Sequence, residues 1–357
     1  MPQTVQDQST QQDQNPNAPI FVQAFEGVRN TSSAERIGPN AFVVGQNIDI
    51  DNDKQVHMRR GRTLKAAGSW HSIWNAGNGG LYGVRNGSLG FVQPDYTHVP
   101  IVDVGLDWLS YVEIDRTMYW SSKSAHGKID LDQNVNSDWG TLNEQGVWWS
   151  PVLEPSDTLG QVGGKLLRNP PKAEFMVYHN GRIYLALDKM IWATELFKYD
   201  YVDATRTYMM FEDGITGMAV VSDGLYVGTA RNAYFLSGEF GKMQRVLTNS
   251  SPVIKGTMIP AVLDDYPDHP IHARTAINFA TTQGLCVGFD RGLYRNLTQD
   301  HFWFPTAESG TAIARQQDGV TQFLSVFRHG GTPASGARIG DYVEAEIMRF
   351  VDRVDVF

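Results

Sequence analysis

An all-β fold is what this 357-residue sequence predicts, on three observations. Thirty-five glycines stand beside nine tryptophans and fourteen tyrosines, a turn-rich and aromatic-rich composition suited to pleated, half-buried surfaces. From Phe21 onward the apolar residues come in short runs broken by glycine, asparagine and aspartate, and no amphipathic helix longer than two turns can be drawn. A weak internal repeat, a turn followed by an apolar and then an aromatic residue, recurs along most of the chain.

The clearest copies of the repeat are Gly80-Leu81-Tyr82, Arg116-Thr117-Met118-Tyr119, Asn180-Gly181-Arg182-Ile183-Tyr184 and Asp223-Gly224-Leu225-Tyr226. Gln283-Gly284-Leu285-Cys286 and Asp318-Gly319-Val320-Thr321-Gln322-Phe323 are looser copies. Their last residues, 82, 119, 184, 226, 286 and 323, are separated by 37, 65, 42, 60 and 37 residues. The average, about 48, falls within the roughly 40–50 residues of a propeller blade, and the unequal intervals imply loop insertions. Phe175 to Tyr178 precede Asn180-Gly181, and Met218 to Val221 precede Asp223-Gly224, so each of these copies reads as strand, tight turn, strand. Ile191-Trp192 and Tyr234-Phe235 supply a third strand. The expected architecture is a single β-propeller of six blades, within a range of five to seven, over residues 21–357. It would be closed by pairing of N- and C-terminal strands. The candidates for closure are the stretch from Asn47 to Met58 and the strand from Tyr342 to Met348, whose apolar and acidic residues alternate.

Residues 1–20 hold six glutamines and three prolines and bury too little to offset the entropy of ordering, which predicts a disordered tail. Met1, Pro2 and Gln3 are the expected tip of an arm that orders on a neighbouring subunit. No run of 18 apolar residues occurs, and the N-terminus lacks both a basic start and an apolar signal core, so the expectation is a soluble chain with no membrane span. A lone cysteine, Cys286, excludes an internal disulfide and any multi-cysteine zinc site. Thirty-nine acidic against 30 basic side chains give a net charge of −9, which argues against a general nucleic-acid-binding surface.

Asp49, Asp51 and Asp53 stand at alternate positions, as in a calcium loop. Such a loop needs glycine at its sixth position and a bidentate glutamate at its twelfth, where this chain has Lys54 and Arg60. The arginine repels a cation. Ile48 and Ile50, then Asp51-Asn52-Asp53, then Val56 and Met58 read instead as a β-hairpin. The stretch around it, "FEGVRNTSSAERIGPNAFVVGQNIDIDNDKQVHMRRG" from Phe25 to Gly61, resembles the opening of tail proteins of short-tailed bacteriophages. These are the β-propeller nozzle or hub proteins, of the packaged-DNA stabilisation type. The likeness rests on Phe25 and Gly27, the segment from Pro39, Asn47 and Asp49, the acidic turn Asp51 to Asp53, and the exit Arg59-Arg60-Gly61. A second match, "TTQGLCVGFDRGLYRNLT" from Thr281 to Thr298, is similar to a late strand of the same group. Lys54 departs from the pattern, which has glycine after the acidic turn.

That resemblance implies a structural virion protein: a homo-oligomeric ring in the tail, continuing the portal and its adaptor and retaining or conducting the genome. It would be made in the host cytoplasm, without enzymatic activity or cofactor. The alternative is a carbohydrate-binding or carbohydrate-cleaving propeller at the tail tip.

Other clusters read as structure. "DDYPDHPIHAR" from Asp264 to Arg274 contains His269 and His272, yet Pro267 and Pro270 forbid the helix that would put them on one face, so a polar surface loop is expected. Arg59, Arg60, Arg62 and Lys65 could touch phosphate, but pairing with the hairpin aspartates is the expected role. "SDWGT" from Ser137 to Thr141 is similar to the aspartate turn of sialidase blades, with the wrong spacing and a single occurrence, and reads as a loop. Cys286 lies in an apolar run and reads as a buried small hydrophobe. No Gly-x-Ser-x-Gly, His-Glu-x-x-His or phosphate-binding glycine loop occurs. If the three aspartates only shape a turn, adding calcium or a chelator leaves the melting temperature unchanged; a rise of several degrees with calcium would restore the metal reading.

Overall fold

The structure is a computed structural model that describes residues 24–43, 48–50, 54–58, 63–142, 146–149, 165–266, 268–304, 307–317, 320–329, 343–351 and 353–356. Its first strands are β1 (Gly27–Val28), β2 (Ala41–Phe42), β3 (Ile48–Ile50) and β4 (Val56–Met58). Sheet 1 follows, with β5 (Trp70–Asn75), β6 (Leu81–Arg85), β7 (Ser88–Val92) and β8 (His98–Asp103). Sheet 2 holds β9 (Ser110–Ile114), β10 (Thr117–Ser121), β11 (His126–Asp130) and β12 (Val135–Ser137). Sheet 3 comprises β13 (Val147–Trp149), β14 (Lys165–Arg168), β15 (Phe175–His179), β16 (Arg182–Leu187), β17 (Met190–Glu195), β18 (Lys198–Asp203) and β19 (Tyr208–Met210). Sheet 4 is β20 (Ile215–Val221), β21 (Gly224–Thr229), β22 (Ala233–Ser237) and β23 (Gln244–Asn249). Sheet 5 is β24 (Ile259–Ala261), β25 (Ala276–Thr281), β26 (Gly284–Phe289) and β27 (Tyr294–Asn296). Sheet 6 runs β28 (Ala307–Gln317), β29 (Val320–His329), β30 (Val343–Val351) and β31 (Arg353–Val356), then β1 and β2. The chain is thus all-β, built of several antiparallel sheets of about four strands. Helical turns among the described residues are short 3-10 pieces, such as Ala34–Arg36 and Leu263–Asp265.

Local chemistry sets the hairpins. Asn86-Gly87 and Asn180-Gly181 both take positive φ at each residue, the backbone of a type I′ turn, whose twist matches that of the flanking strands. Asp115-Arg116 does the same without glycine, and Arg116 is held by an ion pair with Asp132.

The six marker residues of the repeat fall one in each of sheets 1 to 6, on β6, β10, β16, β21, β26 and β29, and all are buried. Alternation then sorts each strand's side chains to two cores. On β10, Met118 and Trp120 join Tyr82 and Leu89 of sheet 1, while Tyr119 joins Ile183 and Leu185 of sheet 3. On β21, Leu225 and Val227 pack with Tyr184 of sheet 3, while Tyr226 packs with Phe279 and Cys286 of sheet 5. Leu285 and Val287 on β26 meet Phe323 and Phe327 of sheet 6. Both faces of these strands are dry, which is why they read as near-continuous apolar runs.

A short segment ties the sheets together. Val253 bridges Thr281 of β25, Lys255 bridges Ser309 of β28, and the Gly256 N–H donates to the Thr216 carbonyl of β20 at 3.1 Å. The Lys255 ammonium pairs with Glu174, just before β15, and Glu174 also lies 3.5 Å from Lys123 in the β10–β11 turn.

The ends of the described chain meet in sheet 6. Gly27 pairs in parallel with Val356, and Gly27 and Val28 pair with Ala41 and Phe42. The stretch from Asn47 to Met58, expected to join the sheet of the late strand, does not. β3 and β4 form their own two-stranded sheet, in register Ile48 to Met58 and Ile50 to Val56. Three-residue strands cannot bury a face alone, so Ile50 packs instead against Leu324 of β29, with Phe25, Phe42 and Val56 around it.

Tyr226 tests the two-core packing. It is fully buried, and its hydroxyl lies 2.7 Å from the carbonyls of both Phe289 and Leu293, donating to one at a time. Tyr226→Phe should cost about 1–2 kcal/mol, and Phe279→Ala about 3–5 kcal/mol, read as shifts of the urea midpoint at constant slope.

Candidate functional site

Of the residues singled out in the opening hairpin, Asn47, Asp51, Asp53, Arg60 and Gly61 lie outside the described residues, as do Met1, Pro2 and Gln3. Asp49 is described in its backbone, opposite His57 across the β3–β4 pair. Lys54 takes a φ of +60°, in the left-handed region that glycine favours, and its carbonyl accepts from the Phe25 N–H at 3.1 Å. That backbone demand accounts for the glycine expected there. His269 turns its Nδ1 to the Pro270 carbonyl at 3.0 Å, and His272 is exposed. Among the described residues no three histidine, cysteine, aspartate or glutamate side chains gather as a metal site. Cys286 is fully buried, and burial pushes its thiol up to about 12, so it is no nucleophile at neutral pH.

An early segment of the chain packs against a late one. Val28 enters the apolar cluster that contains Leu285 and Val287. Beside it, Arg29 hydrogen-bonds His301 Nδ1 at 2.8 Å, and the Asn30 N–H donates to the His301 carbonyl at 3.0 Å. The Asn30 side chain donates to the Trp303 carbonyl at 2.7 Å and accepts from the Trp303 N–H at 2.8 Å. Thr31 Oγ1 donates to the Asp300 carbonyl at 2.7 Å. A side chain that reproduces backbone pairing, as Asn30 does, fixes a loop where no strand edge is available. The segment that follows β27 is thereby fastened to the segment that precedes β2.

A second feature was not legible as a site from the sequence. The Ser137–Thr141 loop opens a cleft of about 390 Å³ between sheets 2 and 3, lined by His126, Asp138, Trp139, Gly140, Thr141, Leu142 and Asn169. Trp139 is its buried root: its indole donates to the Tyr199 carbonyl at 2.9 Å, and its ring lies 5.0 Å from that of Tyr119 and 5.6 Å from that of His126. Asn169 spends both ends of its amide on Leu142, accepting from its N–H at 2.9 Å and donating to its carbonyl at 2.8 Å. Burial lowers the pKa of His126, helped by the nearby Lys172 ammonium and opposed by the Pro171 carbonyl and Asp138, so the ring is neutral at neutral pH. Its Nδ1 is buried without a hydrogen-bond partner. Asp138 and Thr141 are exposed at the mouth.

No family model matches the chain, and no curated protein matches it. Among solved structures it is similar to the extracellular domain of a putative one-component system from B. thetaiotaomicron, with a TM-score of 0.43 and 11% identity. That match covers 81% of this chain, which spans only 38% of the other. It is similar also to the N-terminal domain of Nup159, with a TM-score of 0.43 and 9% identity over 79% of this chain and 86% of that one. A third is BBS1N, solved in complex with ARL6DN, with a TM-score of 0.44 and 11% identity over 78% and 83%.

Gly140 has a φ of +97°, and a Cβ there would lie 2.5 Å from Asn169 Oδ1. Gly140→Ala should therefore break the clamp on Leu142 and cost about 1–3 kcal/mol, with the loss confined to the thermal midpoint and hydrogen exchange of the 138–142 loop. Unchanged protection at Leu142 would contradict the clamp.

Proposed function

We propose that this chain is a structural component of a short phage tail, a propeller of six blades whose copies form a nozzle or hub ring continuing the portal and adaptor. It retains or conducts the genome, has no catalytic role, and belongs to the virion after synthesis in the host cytoplasm. The observation that carries this reading is one apolar cluster, in which Val28 of the first stretch that resembles the family packs with Leu285 and Val287 of the second. The composite sixth sheet supports closure, because a strand from early in the chain completes a sheet begun late in it. The net charge of −9 suits a conduit, since phosphate contacts would hold back a passing duplex.

Sedimentation and negative-stain imaging of the purified chain, alone and with the portal and adaptor of its phage, test the reading. The expected result is a ring coaxial with the portal. A monomer under both conditions would overturn it.

A further inference from the structure

Sheets 1 to 5 each end in a strand that pairs on one side only: β8, β12, β19, β23 and β27. Such an edge presents unpaired backbone N–H and C=O groups to any passing strand, so folded chains blunt it. Here β12, β19 and β27 are three residues long, and β8 carries Pro100 beside a break in its register. β23 is not blunted. It runs six residues, Gln244–Asn249, without proline or glycine, and Gln244 to Leu247 stay in unbroken register with β22. We propose that the free edge of β23 is a docking site for an extended segment of another protein, which joins sheet 4 as an added strand.

The side chains of the edge specify the guest. Gln244, Arg245, Val246 and Leu247 are all exposed, Val246 at 49% and Leu247 at 55%, so both faces of the strand stand clear. Among the described residues none of their backbone groups pairs outside sheet 4. A basic side chain can guard an edge by holding its charge in the path of a second strand. Arg245 does not stand guard: its guanidinium lies over the rings of Phe211 and Tyr234, 5.4 and 5.2 Å from their centres. No carboxylate pairs with it among the described residues. A positive charge is thus fixed beside the edge and left uncompensated.

Every pairing within sheet 4 is antiparallel. A strand added in the same sense meets Leu247, Val246 and Arg245 in that order along its own direction. Apolar residues opposite the first two continue the apolar surface on each face, and a carboxylate opposite Arg245 answers the free charge. The guest is therefore an extended segment that reads apolar, apolar, acidic. Main-chain pairing supplies its affinity and these three positions its selectivity. The β23 of a second copy does not fit this description, because Gln244–Asn249 contains no acidic residue.

The test selects short random peptides, displayed on yeast, against the immobilised full chain, then titrates the enriched peptide and follows hydrogen exchange. Enriched sequences should carry the apolar, apolar, acidic order, and binding should slow exchange within Gln244–Asn249. Val246→Lys combined with Leu247→Lys should weaken binding about tenfold or more, since two charges then guard the edge. Both positions are exposed, so this variant should keep its melting temperature. Arg245→Glu should shift the selection from an acidic to a basic third residue. A selection without enrichment, affinity unchanged in the double-lysine variant, or protection away from β23 overturns the proposal. So does a dimer of the free chain, seen by sedimentation, that the two lysines abolish, for the edge then belongs to a second copy. The peptide measurements use the chain by itself, so this proposal and the tail reading fail separately.

Discussion

Burial of the same strand on both faces is the constraint from which the rest of this structure follows. In sheets 2 to 5 a strand near the middle of the sheet sends alternate side chains into two different cores, as Met118 and Tyr119 or Leu225 and Tyr226 do. Such a strand cannot be stable in an isolated sheet, since one of its faces would be exposed apolar surface. Each sheet therefore needs a neighbour on either side, and the order of sheets follows the order of the chain. The last sheet faces the same demand and meets it with what is at hand: Ile50 and Phe42 from the start of the chain cover Leu324.

This constraint explains why so much of the fold was legible in the sequence. The turn-apolar-aromatic repeat works because a tight turn, with positive φ at both residues in Asp115-Arg116 and Asn180-Gly181, leads into a strand covered from both sides, so the marker positions had to be apolar or aromatic. Cys286, the least aromatic marker, is as buried as Tyr226 and packs in the same cluster. The hairpin from Ile48 to Met58 was readable from its alternation, but its placement was not. Short strands carry no signal for which face of which sheet they will cover. The site residues were less legible still. His126 and Asn169 are 43 residues apart, and what joins them is the packing of Trp139, a long-range contact with no local signature.

Charge takes over where apolar packing is thin. Glu174 stands between Lys123 and Lys255, and the backbone around Lys255 hydrogen-bonds to β20, β25 and β28. One carboxylate thus links stretches belonging to several sheets. Removing it would leave two ammonium groups near each other without their shared partner, so the effects of substitutions at the three positions should not add. Lys54 shows a related compromise: a lysine in a glycine conformation is strained, and the Phe25 hydrogen bond and the stacking of Phe25 on Phe42 hold it there.

The pairing of Gly27 with Val356 sets a schedule for synthesis. Sheets 1 to 5 each draw their strands from one continuous stretch and can form as the polypeptide leaves the ribosome, whereas the sixth must wait for the final strands. Until then β1 has only β2 as a partner strand. Loop closure over more than 300 residues is slow compared with hairpin formation. Of the described sheets the sixth is therefore the last to be completed, and the edges of its strands stay unpaired until early and late strands meet.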